Sequence, residues 1–164
     1  MGALNRFLFG GPGTATSLGD LGLLVTRLGF GAYIALHGYG KLVHDDGIYI
    51  MPKFIEGVQA LHFPAPMLFA WMATLTELVG GLLIAIGFMT RPMAFALVFN
   101  MCVASFLAMK DAPWFDPAGG TSKELPLLYL MFFILLLLIG SGRFAVEAFL
   151  RKSTKIVLPK RTDQ

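Results

Sequence analysis

Residues 71–91 read WMATLTELVGGLLIAIGFMTR. Begun at about Pro66, this segment is apolar enough to cross a hydrocarbon core, which takes roughly 20 apolar residues. Yet Glu77 stands near its middle, and Arg91-Pro92 closes it. A carboxylate at mid-depth is costly and usually faces a bundle interior with a partner. Among the other apolar segments, Arg27 is the ion that lies well inside one. The sequence therefore predicts a small membrane bundle in which Arg27 and Glu77 meet as a buried ion pair.

Three further apolar segments supply the bundle. The first helix is expected at about 18–42, with Ser17 or Asp20 as its cap. Along it Arg27, Gly31, Ile34, Gly38 and Lys41 share a face at helical spacing. Gly31 and Gly38 would let another backbone come close, and His37 lies on the flank. The second helix, about 66–89, puts Thr74, Glu77, Gly81, Ile84 and Phe88 on one face, and Gly80 and Gly81 are read as packing glycines. The third, about 91–109, opens with Pro92 in its first turn. The fourth, about 123–141, carries PLLYLMFFILLLLIG (126–140), and Thr121 with Glu124 has the spacing of a capping box. Between the first two helices, Pro52 opens either a short helix of about 52–61 or an irregular loop. As a helix, Phe54, Ile55, Val58 and Leu61 would form one apolar side suited to the membrane interface. The expected fold is all-α: an integral membrane four-helix bundle over 18–143 with an interfacial helix in its first outer loop. Residues 1–17 are expected at the surface, and 144–164 as a basic tail.

Composition agrees. The 164 residues are 56% hydrophobic and 14% charged, whereas soluble domains are nearer a quarter charged. No dense basic run interleaved with aromatics points to nucleic acid. A single cysteine, Cys102, excludes an intrachain disulfide, a CxxC pair and a CxxCH haem attachment. The start, MGALNRFLFGGPGTATS, lacks the pattern of a removable signal peptide, and Arg6 stands where a myristoylation signal wants Ser or Thr.

Lys/Arg asymmetry sets the expected orientation. The side with both termini holds Arg6, Arg91, Arg143, Arg151, Lys152, Lys155, Lys160 and Arg161; the other holds Lys41, Lys53, Lys110 and Lys123. Both termini are thus expected in the cytoplasm, with Trp114 and Phe115 in an outer aromatic belt. His37, Lys41 and Glu124 share the outer level and form a candidate polar mouth, where a histidine could donate a hydrogen bond to a quinone carbonyl. The alternative is an interfacial histidine, hydrated or bonded to a loop carbonyl. Likewise Arg27 and Glu77 are either a structural pair that sets register or part of a quinone or proton path. His37, His44 and His62 with Asp45 and Asp46 match no metal spacing, so no metal is expected. A bis-histidine haem lacks a second helix histidine well inside the membrane.

The segments RLGFGAYIALHGYGKL (27–42), TELVGGLLIAIGFMTR (76–91) and KELPLLYLMFFILLLLIGSGR (123–143) resemble the DoxX family of small four-helix membrane proteins. One departure lies after Gly142-Arg143, where the family commonly has Ser and Asp and this chain has Ala145 and Glu147. The family is named for subunits of a thiosulfate:quinone oxidoreductase, and relatives are linked to redox complexes and thiol stress, though many members have no known activity. The resemblance implies an inner (plasma) membrane subunit associated with an oxidoreductase system and in contact with the quinone pool. The alternative is a non-catalytic anchor or assembly subunit of a larger complex. No covalently bound cofactor is expected, quinone is the candidate ligand, and the partners are the bilayer, other membrane or redox subunits, and a second copy of the chain.

Overall fold

A computed structural model describes residues 16–44 and 47–150. Helix α1, Ser17–Leu42, starts where the Thr16 hydroxyl accepts from the Gly19 N–H at 3.1 Å. Thr16, and neither Ser17 nor Asp20, is therefore the cap. The chain turns through a two-stranded hairpin, β1 (Val43–His44) against β2 (Gly47–Ile48), with Val43 opposite Ile48. Asp45 and Asp46 lie outside the described residues.

Pro52 opens α2, Pro52–Ala60, so the helical alternative for this loop is the one realised. Its apolar side, with Phe54, Ile55 and buried Val58, packs with Ile50, Phe63, Phe69 and Ala70. Helix α3 spans Pro66–Ile86 and contains a π-helical turn, Thr76–Gly80, around Glu77. It stops at Gly87, whose φ of 72° is left-handed, three residues short of the expected end. A Cβ at Gly87 would also meet the Arg27 guanidinium at 2.8 Å, so glycine is required there twice over. Helix α4, Thr90–Ala108, ends in a second π-helical stretch, Val103–Ala108. Helix α5 covers Glu124–Ile139. The expected Thr121–Glu124 capping box does not form: Lys123 is the N-cap residue and no side chain caps it. The preceding loop is folded instead by Asp116, which accepts from the N–H groups of Ala118 and Gly120.

The chain is an all-α integral membrane protein. Helices α1, α3 and α4 are long and apolar enough to cross a membrane. Helix α5 is apolar but has only 16 residues, about 24 Å at 1.5 Å per residue, against a hydrocarbon core of about 30 Å. The four helices run alternately up and down, with α1 packed on α3 and α5 on α4. Ile84, Leu97, Phe133 and Leu136 fill the shared core, and Phe30 stacks on Phe132 at 4.3 Å.

Three glycines set the α1–α3 contact. A Cβ at Gly31 would lie 2.8 Å from Ala85 N and Gly81 O, and one at Gly38 would lie 2.5 Å from Leu78 N. At Gly81 it would lie 2.7 Å from Gly31 O. Gly80 differs: a Cβ there meets Leu97 at an ordinary 3.6 Å. These close approaches fix an antiparallel register in which Gly31 faces Ala85 and Gly38 faces Leu78.

Candidate functional site

That register decides which ions meet. Glu77 lies beside the Gly38–Lys41 turn, whereas Arg27 lies beside Gly87. The two residues are therefore about twelve positions apart in level, roughly 18 Å at 1.5 Å per residue. The expected Arg27–Glu77 pair does not form. Each ion has other partners, at opposite ends of the bundle.

At the loop end, the Lys41 ammonium donates to both Glu77 oxygens, at 2.7 Å (Oε1) and 2.6 Å (Oε2). Asn100 of α4 donates to the same Oε1 at 3.1 Å and to the Ala73 carbonyl at 3.4 Å. Glu77 is 4% exposed, so it is a buried carboxylate with three charge-assisted hydrogen bonds. The π-helical turn that carries it holds an extra residue per turn, a distortion frequent at functional sites. Lys41 also lies over the Phe54 ring, 4.4 Å from its centroid, which ties α2 to the cluster. Thr74 and Ser105 are buried nearby in α3 and α4, with hydroxyls that lack a hydrogen-bond partner among the described residues.

The expected outer mouth assembles only in part. Lys41 turns inward on its long stem to Glu77. His37 is exposed, and its Nδ1 lies 3.1 Å from the Tyr33 carbonyl one turn earlier in the same helix. Glu124 is exposed at the start of α5 and joins neither residue. Lys123 beside it is buried and donates to the Lys110 carbonyl at 2.8 Å.

At the terminal end, Arg27 is 1% exposed. Its Nη1 donates to the Ser141 carbonyl and its Nη2 to the Phe144 carbonyl at 2.6 Å. Asp20, also buried, pairs with Arg143 at 3.0 Å, and Arg91 donates to the Leu138 carbonyl at 3.0 Å. Residues 144–150, assigned to the tail from sequence, are thus docked onto the bundle. Glu147 fastens them: its Oε2 accepts from Thr90 N at 3.2 Å, its own N–H donates to the Gly87 carbonyl, and its charge faces Arg27. The cause lies in α5. At 16 residues the helix is short, and its Leu138 carbonyl and those of Ser141 and Phe144 just beyond it have no helical partner. Unsatisfied backbone groups are expensive in a bilayer, and arginines supply the donors.

Between α2, α3 and α4 lies a groove of about 710 Å³, within the range of small-molecule sites. Phe54, Phe69, Met72, Phe99, Val103 and Leu107 form its walls. Lys41 and Asn100 reach it at depth, and Lys53 and Lys110 line it at the loop end. Asn100 is the participant that sequence reading missed: it is uncharged in an otherwise apolar helix, and only its spacing from Pro92 and the membrane depth hint at it. Among the described residues, no group of His, Cys, Asp and Glu could hold a metal ion.

A profile of the DoxX family matches residues 22–110, more than half of the chain. The chain belongs to the DoxX family. The match takes in α1 to α4, with Lys41, Glu77 and Asn100, and ends before α5. The inner membrane protein YphA of Escherichia coli (strain K12) is 31% identical over 77 residues, 47% of this chain and 51% of YphA. The matched stretch thus spans about half the length of that relative. No solved structure matches this DoxX chain.

Proposed function

We propose that this DoxX chain is an inner-membrane subunit of an oxidoreductase system and serves there as anchor and assembly partner. The observation that supports this most is how the buried ions are engaged. Asp20, Arg27, Glu77, Lys123 and Glu147 are the buried charged side chains among the described residues. Each directs its hydrogen bonds or ion pair to another part of the same chain. Groups held in this way fix helices, and the electrons would come from a partner. The family resemblance supports the redox context, the similarity to YphA supports the inner membrane, and the Lys/Arg asymmetry supports an orientation with both termini in the cytoplasm. Purification in mild detergent tests the reading, with mass spectrometry of co-purifying proteins and an optical spectrum. A redox protein carrying its own chromophore should accompany the chain. Purification without a redox partner, or turnover by the isolated chain, would count against it.

A second reading is contact with the quinone pool. It is favoured by Lys41 and Asn100, whose N–H donors line the groove at a depth a quinone carbonyl could reach. Quinone content after gentle extraction, compared between the parent chain and Asn100→Leu, tests it: equal content would remove the second reading and leave the first intact.

A further inference from the structure

We propose that the groove between α2, α3 and α4 binds one acyl chain of an anionic phospholipid, with the head group held between Lys53 and Lys110. The groove's dimensions come first. Its lining runs from Phe95 on α4 to Lys110 just past the helix end, about 22 Å at 1.5 Å per residue. One leaflet of a hydrocarbon core about 30 Å thick is about 15 Å deep. The lining is therefore long enough to run the depth of one leaflet and still reach the head-group region.

Charge selects the head group. Deep in the groove, Lys41 is neutralised by Glu77 at 2.6 Å, so that end offers no free cation to an anion. At the loop end the cations come from two different walls, Lys53 from α2 and Lys110 just after α4. Lys53 makes no ion pair among the described residues. Among the described residues Lys110 pairs with Asp111 alone, at 4.0 Å and with both side chains largely exposed, so although Asp111 also lines this end the pairing is worth little. A phosphate between these two lysines would gain from both. A neutral quinone head would gain nothing from either, and would instead seek the donors at depth. The lid of the groove is also built for a chain: Phe54 on α2 is held over Lys41, with Phe63 and Phe69 stacked behind it at 4.5 Å.

The test uses the full chain reconstituted into vesicles of equal phosphatidylglycerol and phosphatidylcholine, then re-extracted in mild detergent, with retained lipid and quinone quantified by mass spectrometry. About one phosphatidylglycerol per chain should be retained in preference to phosphatidylcholine. Lys53→Ala with Lys110→Ala should lower that preference by about tenfold or more, since each cation near an anionic head supplies roughly a fivefold gain. Both sites are exposed, so the fold should survive, and Lys53→Arg with Lys110→Arg should keep the preference. Ala104→Trp, which narrows the groove, should expel the lipid while the lysines remain. Equal retention of the two lipids by the parent chain would overturn the inference. So would a preference that persists in the double alanine variant, or in one that instead vanishes with Arg151→Ala and Lys152→Ala. Stoichiometric quinone in place of lipid would overturn it too, and would favour the second functional reading; neither result touches the anchor reading, which rests on co-purifying proteins.

Discussion

The two ends of this bundle use buried charges for different work. At the terminal end, arginines hold backbone: Arg27 and Arg91 donate to the carbonyls of Leu138, Ser141 and Phe144, and Asp20 and Glu147 secure the same segment. At the loop end, a lysine and an amide hold one carboxylate, Lys41 and Asn100 each donating to Glu77, beside an apolar groove. The first arrangement compensates for a helix that is too short. The second joins three helices where a ligand can approach. A buried ion in a membrane is commonly taken to mark function, and here the loop-end cluster is the one that borders the groove between α2, α3 and α4.

The comparison can be broken most severely at Arg27. Arg27→Gln should destabilise the protein by about 3–5 kcal/mol, because it leaves Glu147 and two carbonyls uncompensated, and a large fall in melting temperature in mild detergent checks it. Glu77→Gln should cost less, about 2–3 kcal/mol, because a quarter of the Lys41 side chain is exposed and can turn to the interface. The double variant sharpens the point. Ions about 18 Å apart in level should act additively within about 0.5 kcal/mol, whereas Glu77→Gln combined with Lys41→Met should fall well short of additivity. Strong coupling between Arg27 and Glu77 would mean that the α1–α3 register is wrong.

Register itself is tested next. Gly38→Ala places a methyl 2.5 Å from backbone at Leu78 and should cost about 1–3 kcal/mol, as overpacking does. Gly80→Ala, with ordinary space around it, should leave the melting temperature nearly unchanged or raise it. The smallest effects belong to the two residues left outside the loop-end cluster. His37→Ala and Glu124→Gln should each stay within about 0.5 kcal/mol of the parent; a large loss for either would restore the polar mouth that the sequence suggested.

Much of this was legible in the residues. Apolar lengths located all four helices, Pro52 and the Phe54–Val58 spacing located α2 as one of two options, and Gly31, Gly38 and Gly81 were identifiable as points of backbone approach. Those glycines also held the answer to the pairing, since placing Gly31 and Gly38 against Gly81 and its neighbours puts Lys41, and not Arg27, beside Glu77. Asn100 was harder to see because an amide in an apolar helix carries no charge to draw notice.

By itself, then, the sequence determined that this is a membrane bundle, where its helices lie and which ions must be buried, because hydrophobic length and the cost of charge in lipid act locally along the chain. Only the tertiary structure decided who meets whom. Arg27's partners are backbone carbonyls, which every residue possesses and no sequence pattern distinguishes. They lie just past the end of α5, where the chain folds back at Gly140 and Gly142. The groove likewise depends on α2 packing on α3 opposite α4, an arrangement that no local pattern in the chain sets.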